Sequence, residues 1–258
     1  MYDGCVSGIV SDVIHFTETD STNNQAKCYG LQGVSQGTLF IADRQTAGRG
    51  RRGRTWISGD ADGLWMSLLI KPDIKPECAS MLTLVTAMAV AETIRKVTGI
   101  SGLIKWPNDI VIGDRKVCGI LTEMSAKPEA VDYIVIGVGI NVNSKEFHES
   151  VKDMATSLYM CCGREVKKED LVKTFCEEFT AYYEKFVVTC DMSELADEYN
   201  KLLVNAGRPV SVESPAGKRV GKALGIDVTG ALLVEFEEGT VESITAGEVS
   251  VRGLYGYV

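Results

Sequence analysis

Residues 38–70 read TLFIADRQTAGRGRRGRTWISGDADGLWMSLLI, and the order of elements within them decides the fold. Four arginines (Arg49, Arg51, Arg52, Arg54) and three glycines (Gly48, Gly50, Gly53) fill the seven residues 48–54. Glycine lets a backbone reach positive φ and lets a ligand come close, and each arginine offers a planar fork of donors to phosphate or carboxylate. Together they predict a mobile loop that folds down over an anion. The same glycines also spell GxGxxG, the dinucleotide fingerprint, which needs a strand before it and a helix after it to receive the pyrophosphate. TLFIA at 38–42 supplies the strand. Where the helix should begin, LWMSLLI at 64–70 reads as a second strand, and the residues between the glycines are bulky arginines. A doubly wound dinucleotide domain is therefore disfavoured. Taken alone, the loop still admits a solvated basic or nucleic-acid-binding patch as well as a specific anion site.

Composition narrows the choice. A chain of 258 residues can hold one large domain, or one large and one small. Its 45% hydrophobic and 24% charged residues are those of an ordinary soluble globular protein. A formal net charge of -8 argues against general nucleic-acid binding, which needs an extended basic face. No apolar run reaches the ~18 residues of a membrane span, and no Lys or Arg precedes Lys27, so the basic start of a signal peptide is missing. The eight cysteines are scattered without a CxxC pair, and the two histidines are His15 and His148, which leaves a Cys/His zinc site little support. Free thiols in a cytoplasmic protein are the expectation.

Outward from the loop, residues 13–16 read as a short strand. Asp20, Ser21, Thr22 and Asn23 are all N-cap types and predict a helix running to Leu31. An ordinary cap explains them; so does a small polar ligand held by the Ser21 and Thr22 hydroxyls and the Asn23 amide. Pro76 stands near the start of a long helix over 77–98, in which Met81, Leu84, Val85, Met88, Ala91 and Ile94 keep helical spacing up to a stop at Gly99. LIKWPNDIVI at 103–112 is broken by Pro107, which places Asn108 and Asp109 on a bend. Gly113 and Asp114 begin a hairpin turn, and a strand starting on Lys116 would bring Asp109 and Lys116 close on adjacent strands, as a surface salt bridge or as part of a site. YIVIGVGINV at 133–142 is a buried strand whose Gly137 and Gly139 share a face, the sign that something packs against its backbone. Residues 143–157 form a polar loop with His148 towards solvent. Helical spacing marks 168–188, and a shorter helix covers 192–204. Five β-like runs then follow, PVSVE, RVGKALGID, ALLVEF, TVESI and EVSVR, which indicate a small β-barrel module with a boundary near Asn205.

ADRQTAGRGRRGRTW, KWPNDI, RKVCGILTE, IVIGVGINVN and AGEVSVRG, with DSTNNQAK near the start, resemble in this order the motifs of biotin protein ligases, over nearly the whole chain. The resemblance implies an α+β fold: a catalytic domain (residues 1–205) on a class II synthetase-like mixed sheet with helices, and a small C-terminal SH3-like β-barrel (residues 206–258). It implies two steps. ATP, Mg2+ and biotin form biotinyl-5′-AMP with loss of pyrophosphate, and the acyl group then passes to a lysine of a biotin carboxyl carrier protein or an equivalent carboxylase domain. Carried over by position, Ser21, Thr22, Asn23 and Gln45 would meet the ureido end of biotin. Arg49, Gly50 and Arg51 would line its carboxylate and the phosphate, with Gly137 and Gly139 along the pocket. Arg52, Arg54, Trp56, Asn108 and Asn141 would lie towards the nucleotide. Lys116, with Arg49 and Arg51, would offset the repulsion between two anions as they react, and Asp109 would position the acceptor amine or accept its proton. No magnesium ligands are assigned. The mixed anhydride hydrolyses readily, so the arginine loop is expected to be a lid, mobile when empty and ordered over the adenylate.

Membrane and nucleic-acid partners are not expected, and a homodimer through the sheet is an expectation from the resemblance alone. The chain starts about twenty residues before its serine-threonine motif, which predicts a ligase without an N-terminal DNA-binding domain and without operator-binding activity. A lipoate or octanoyl ligase would share the implied fold, but such enzymes usually carry a different glycine-rich signature. An RNA-binding module is countered by the acidic balance and the lack of a second basic cluster.

Overall fold

The computed structural model describes residues 2, 4–56, 62–214, 217–237, 239–245, 250–253 and 257. Strand β1 (Asp12–Thr19) runs parallel to β2 (Thr38–Gln45), with helix α1 (Thr22–Leu31) crossing between them. β3 (Gly63–Ile70) returns antiparallel to β2, so the arginine loop joins two neighbouring antiparallel strands and no helix receives it. The chain leaves the sheet through a 3-10 segment, Pro76–Met81, and helix α2 (Leu82–Thr98), which stops at Gly99 with φ 78. Pro76 needs no helical N–H in that first turn, and the α-helix starts later than its apolar spacing predicts.

β4 (Leu103–Lys105), β5 (Asp109–Ile112), β6 (Arg115–Lys127) and β7 (Ala130–Asn141) form an antiparallel meander. β7 lies beside β3, which gives a seven-stranded mixed sheet in the order β1-β2-β3-β7-β6-β5-β4. Helices α3 (Leu158–Cys162), α4 (Lys168–Thr189) and α5 (Ala196–Leu202) follow. β8 (Pro209–Ser214), β9 (Gly217–Ile226), β10 (Leu232–Phe236), β11 (Val241–Ile244) and β12 (Ser250–Gly253) build a second, antiparallel sheet in the order β11-β10-β9-β8-β12. Four of the five runs read in the tail are strands, and so is the described part of the fifth, SVR at 250–252; the AGEV portion of AGEVSVRG lies outside the described residues.

The pleat sorts the large sheet into two faces. Leu64, Met66 and Leu68 of β3, Ile136, Val138 and Ile140 of β7, and Cys118 and Ile120 of β6 share the main core with α2, against which α4 packs. On the other face α1 covers Phe40, Leu69, Tyr133 and Val135 at one end. Beyond that cover the sheet carries Trp65, Gly137, Gly139 and Gly119 beneath a cavity.

The second sheet joins the same core through Val210, Val212, Ala223, Leu232 and Val234. At the joint the Trp106 indole N–H donates to the Gly230 carbonyl at 3.1 Å. Gly230 has φ 77, and a Cβ there would stand 2.6 Å from Leu84 Cδ1, so backbone and space both require glycine. The helix Pro76–Thr98 is long and apolar enough to cross a membrane by length and composition alone, but 78% of its apolar window is buried in the core of this protein. All eight cysteines are free.

Candidate active site

The site is built on a slip in strand register. β6 pairs with β5 at Ile112↔Arg115 and Val111↔Lys116, then skips Val117, so that Ile110 meets Cys118 and Asp109 meets Gly119. Side chains alternate along a strand, and one extra residue turns everything beyond it to the opposite face. Gly119, Leu121 and Glu123 thereby join Lys116 and Asp109 on one face, while Val117, Cys118 and Ile120 stay in the core. The row continues across the sheet, with Gly119 opposite Gly139 and Leu121 opposite Gly137 on β7, then Trp65 and Ser67 on β3. Above it lies a cavity of ≈ 800 Å³.

The N-terminus of α1 closes one end. Ser21 is the N-cap, but its side chain makes no capping bond and lines the cavity instead. Thr22 donates to Gln45 Oε1 from its backbone N–H at 2.8 Å and from its hydroxyl at 3.2 Å. The Ser67 hydroxyl lies 2.7 Å from Thr22 Oγ1 and donates to Asn23 Oδ1 at 2.6 Å. Asn23 Nδ2 donates to Glu123 Oε2 at 2.9 Å, and Glu123 Oε1 accepts from Lys27 at 2.9 Å with Arg49 Nη1 at 3.3 Å. Burial raises the Glu123 carboxyl, but the bonds from Asn23 and Lys27 and the charges of Lys27 and Arg49 outweigh it, so the group titrates below the usual glutamate range. A Cβ on Gly137 would stand 2.1 Å from Asn23 Oδ1, so the glycine is what lets α1 seat its amide on β7.

The arginine loop and the hairpin build the other end. The loop is pinched by Gly50 N–H to the Arg54 carbonyl at 2.8 Å and Trp56 N–H to the Gly48 carbonyl at 2.9 Å, and Arg52 takes a left-handed φ of 58. Trp56 lies over the glycine row: a Cβ on Gly119 or Gly139 would stand 2.4 Å or 3.2 Å from its ring. Lys116 Nζ is 2.6 Å from Asp109 Oδ1 and 4.8 Å from the centroid of the Trp56 ring. Arg51 donates to Asn108 Oδ1 at 3.1 Å, and Asn108 Nδ2 donates to the Ile120 carbonyl at 3.0 Å. Burial lowers the Arg51 pKa, and the charge of Asp109 partly offsets this.

The cavity brings together Ser21, Thr22, Asn23, Gln45, Arg49, Gly50, Arg51, Arg52, Arg54, Trp56, Asn108, Asp109, Lys116, Gly137 and Gly139. Two placements differ from the sequence reading. Asp109 is the first residue of β5, with the bend confined to residues 106–108. Asn141, expected towards the nucleotide, does not line the cavity: its Nδ2 donates to the Thr156 carbonyl at 3.0 Å. It thus ties down the strap whose Met154 carbonyl and Thr156 N–H bond the backbone of Lys116 at 2.7 Å and 2.9 Å. Ser67, Lys105, Glu123 and Tyr257 were not singled out in the sequence. Ser67 had a readable signal, a hydroxyl inside the apolar run LWMSLLI. Glu123 had none, because strict alternation from Lys116 puts it on the core face.

Residues 13–141 match the family described as biotin/lipoate A/B protein ligase, and residues 206–252 match the biotin protein ligase C-terminal domain. The chain belongs to the biotin/lipoate A/B protein ligase family. It is 37% identical over 94% of its length to the bifunctional ligase/repressor BirA of Bacillus spizizenii, covering 73% of that protein. It is 29% identical over 91% of its length to the biotin–[acetyl-CoA-carboxylase] ligase of Paracoccus denitrificans, covering 98% of that protein. Among solved structures, the biotin protein ligase of Aquifex aeolicus in complex with biotin and ATP superposes with a TM-score of 0.82 at 33% identity, covering 94% of this chain and 99% of that one. The α+β architecture expected from the sequence is that of these ligases.

The Glu123 cluster has a consequence for pH. The folded carboxyl titrates below its unfolded value, so its stabilising bonds are complete above the unfolded pKa of about 4.3 and are lost as pH falls through the lower, folded value. Glu123→Gln keeps the shape but not the charge. Thermal melts from pH 7 down to pH 3 are expected to show a lower Tm for the variant at pH 7 and a shallower decline on the acid side; parallel curves would contradict this.

Proposed function

We propose that the chain is a biotin protein ligase that joins biotin to ATP as biotinyl-5′-AMP, releases pyrophosphate, and transfers the biotinyl group to a lysine of a biotin carboxyl carrier protein or an equivalent carboxylase domain. One observation carries the reading: the cavity has a neutral hydrogen-bonding end at Ser21, Thr22, Asn23 and Gln45, a glycine floor, and a cationic end at Arg49, Arg51 and Lys116. Biotin has the same polarity sequence, a ureido ring at one end and a carboxylate at the other. The solved relatives add support, since one is described with both biotin and ATP.

The chemistry follows from the charges. A carboxylate attacking the α-phosphate brings two anions together, and cations held in place beforehand offset their repulsion without reorganising at the moment of reaction. Lys116 and Arg51 are held by Asp109 and Asn108 respectively, so both are positioned before a substrate arrives. Lys116 acts as a stabiliser, not as a covalent nucleophile. Trp56 offers a flat aromatic surface beside the lysine for the adenine or the bicyclic ring. In the second step Asp109 positions the incoming amine or takes its proton. Magnesium, when bound, would add charge neutralisation on the triphosphate; among the described residues no group of three or more His, Cys, Asp and Glu could hold it, and no step here runs through it.

We read residues 1–205 as the catalytic unit and 206–258 as the C-terminal unit, in an enzyme of the reducing cytoplasm, which fits its eight free cysteines. The arginine loop is a lid that tightens over the adenylate, and its glycines permit that movement. The ligase does not repress an operator. Its net charge of -8 supports this.

Biotin-dependent exchange of pyrophosphate into ATP tests the central reading. The wild type should exchange with biotin, and Lys116→Ala should lose about a hundredfold in rate; stimulation by lipoate and not by biotin would overturn it. Asp109→Asn should slow transfer to the acceptor more than exchange, and equal losses would remove the role given to that carboxylate. Limited proteolysis should cut residues 45–56 faster without biotin and ATP than with them, and identical cleavage would argue against a lid. A gel shift showing sequence-specific DNA binding by this chain would end the non-repressor reading.

A further inference from the structure

The hairpin carries a row of three charges across adjacent strands. Lys105 on β4 is the backbone partner of Asp109 on β5, and Lys116 on β6 reaches Asp109 Oδ1 at 2.6 Å. The other oxygen of that carboxylate, Oδ2, accepts a hydrogen bond from the hydroxyl of Tyr257. The Tyr257 ring lies against the Lys105 ammonium, with Nζ 3.5 Å from its centroid, and Lys105 is only 6% exposed. Tyr257 belongs to the chain beyond β12, outside residues 13–141 that match the ligase family, and it lines the same cavity as Lys116 and the arginine loop.

We propose that Tyr257 is a positioning residue for Asp109, and through it for transfer of the biotinyl group to the acceptor lysine. A carboxylate held by a donor on one side alone can rotate and offer both oxygens to that donor. With Lys116 as its lone partner, Asp109 would swing onto the ammonium, which turns both oxygens away from an incoming amine. The Tyr257 hydroxyl holds Oδ2 apart from Lys116 and leaves that oxygen its second lone pair. The Lys105 ammonium against the ring face fixes where the hydroxyl sits. The segment following the small sheet therefore supplies one part of the catalytic row. This inference rests on the role in transfer given above to Asp109.

Tyr257→Phe keeps the ring and its contact with Lys105 and removes the hydroxyl that donates to Asp109. The expected result, with Tm unchanged, is a fall of about tenfold in the kcat for biotinyl transfer to a purified biotin carboxyl carrier domain, with its KM unchanged. Biotin-dependent pyrophosphate exchange should fall by no more than about twofold. In an Asp109→Asn background the same change should add nothing further, because the residue acts through the carboxylate. Wild-type transfer by Tyr257→Phe, or a further loss in the double variant, overturns the proposal while leaving the role of Asp109 standing. If Asp109→Asn itself slows exchange and transfer equally, both fall together.

Discussion

A single unpaired residue, Val117, governs what this sheet can present. The bulge there lets β6 serve two partners in different phase: before it Lys116 faces the cavity, and after it Gly119, Leu121 and Glu123 do, on the same side. Without the slip, Lys116 would share its face with Cys118 and Ile120, two fully apolar positions of the core, and the ammonium would stand on the opposite side from the glycine row. Bulges commonly re-aim a side chain next to an active site, and here the re-aimed group is the Lys116 ammonium beside Asp109. The backbone at the bulge is not left to itself. The strap at residues 154–156 takes the place beside Lys116 that β7 vacates, and Asn141 holds that strap in turn.

Glycine and aromatic positions are complementary across this face. Gly137 makes room for the Asn23 amide, while Gly119 and Gly139 make room for Trp56. A side chain at any of the three would lift either α1 or the arginine loop off the sheet. The two ends of the cavity are thus seated by the same device, close approach to bare backbone, and their separation follows from the strand positions of the glycines. Ser67, Thr22 and Asn23 at the α1 end are buried, and each is bonded to another group of the site: Ser67 to Thr22 and Asn23, Thr22 to Gln45, Asn23 to Glu123. Groups so connected hold one arrangement, because breaking a link leaves a desolvated donor or acceptor unmatched.

Much of this was legible in the sequence. The second strand after GRGRRGR excluded a dinucleotide fold, the paired glycines of β7 announced a close neighbour, and Asp109 and Lys116 were placed together by their hairpin. What stayed hidden has physical causes. A bulge leaves no mark in a run such as RKVCGILTE, where apolar and polar residues fit either phase, so Glu123 reads as a core-facing or irrelevant acid. The start of α2 was misplaced because apolar spacing does not distinguish a 3-10 turn from an α-turn over Pro76–Met81. Asn141 was assigned by resemblance, and its own hydrogen bond points it at the strap. Tyr257 lies 148 residues from its partner, and no local pattern encodes a contact at that separation.

The contact between the two sheets bears on the site from beneath as well as from the front. Trp106, next to Lys105 after the end of β4, is buried and donates to the Gly230 carbonyl in the turn before β10, while Lys105 meets Tyr257. β4 is three residues long and is the edge of the large sheet, so its own ladder to β5 gives it little rigidity. The second sheet meets this edge at the Trp106 indole, and Tyr257 meets it at the Lys105 ammonium. The charged row begins on that edge strand, and a small module remote in sequence is therefore part of what fixes the geometry of Lys105, Asp109 and Lys116.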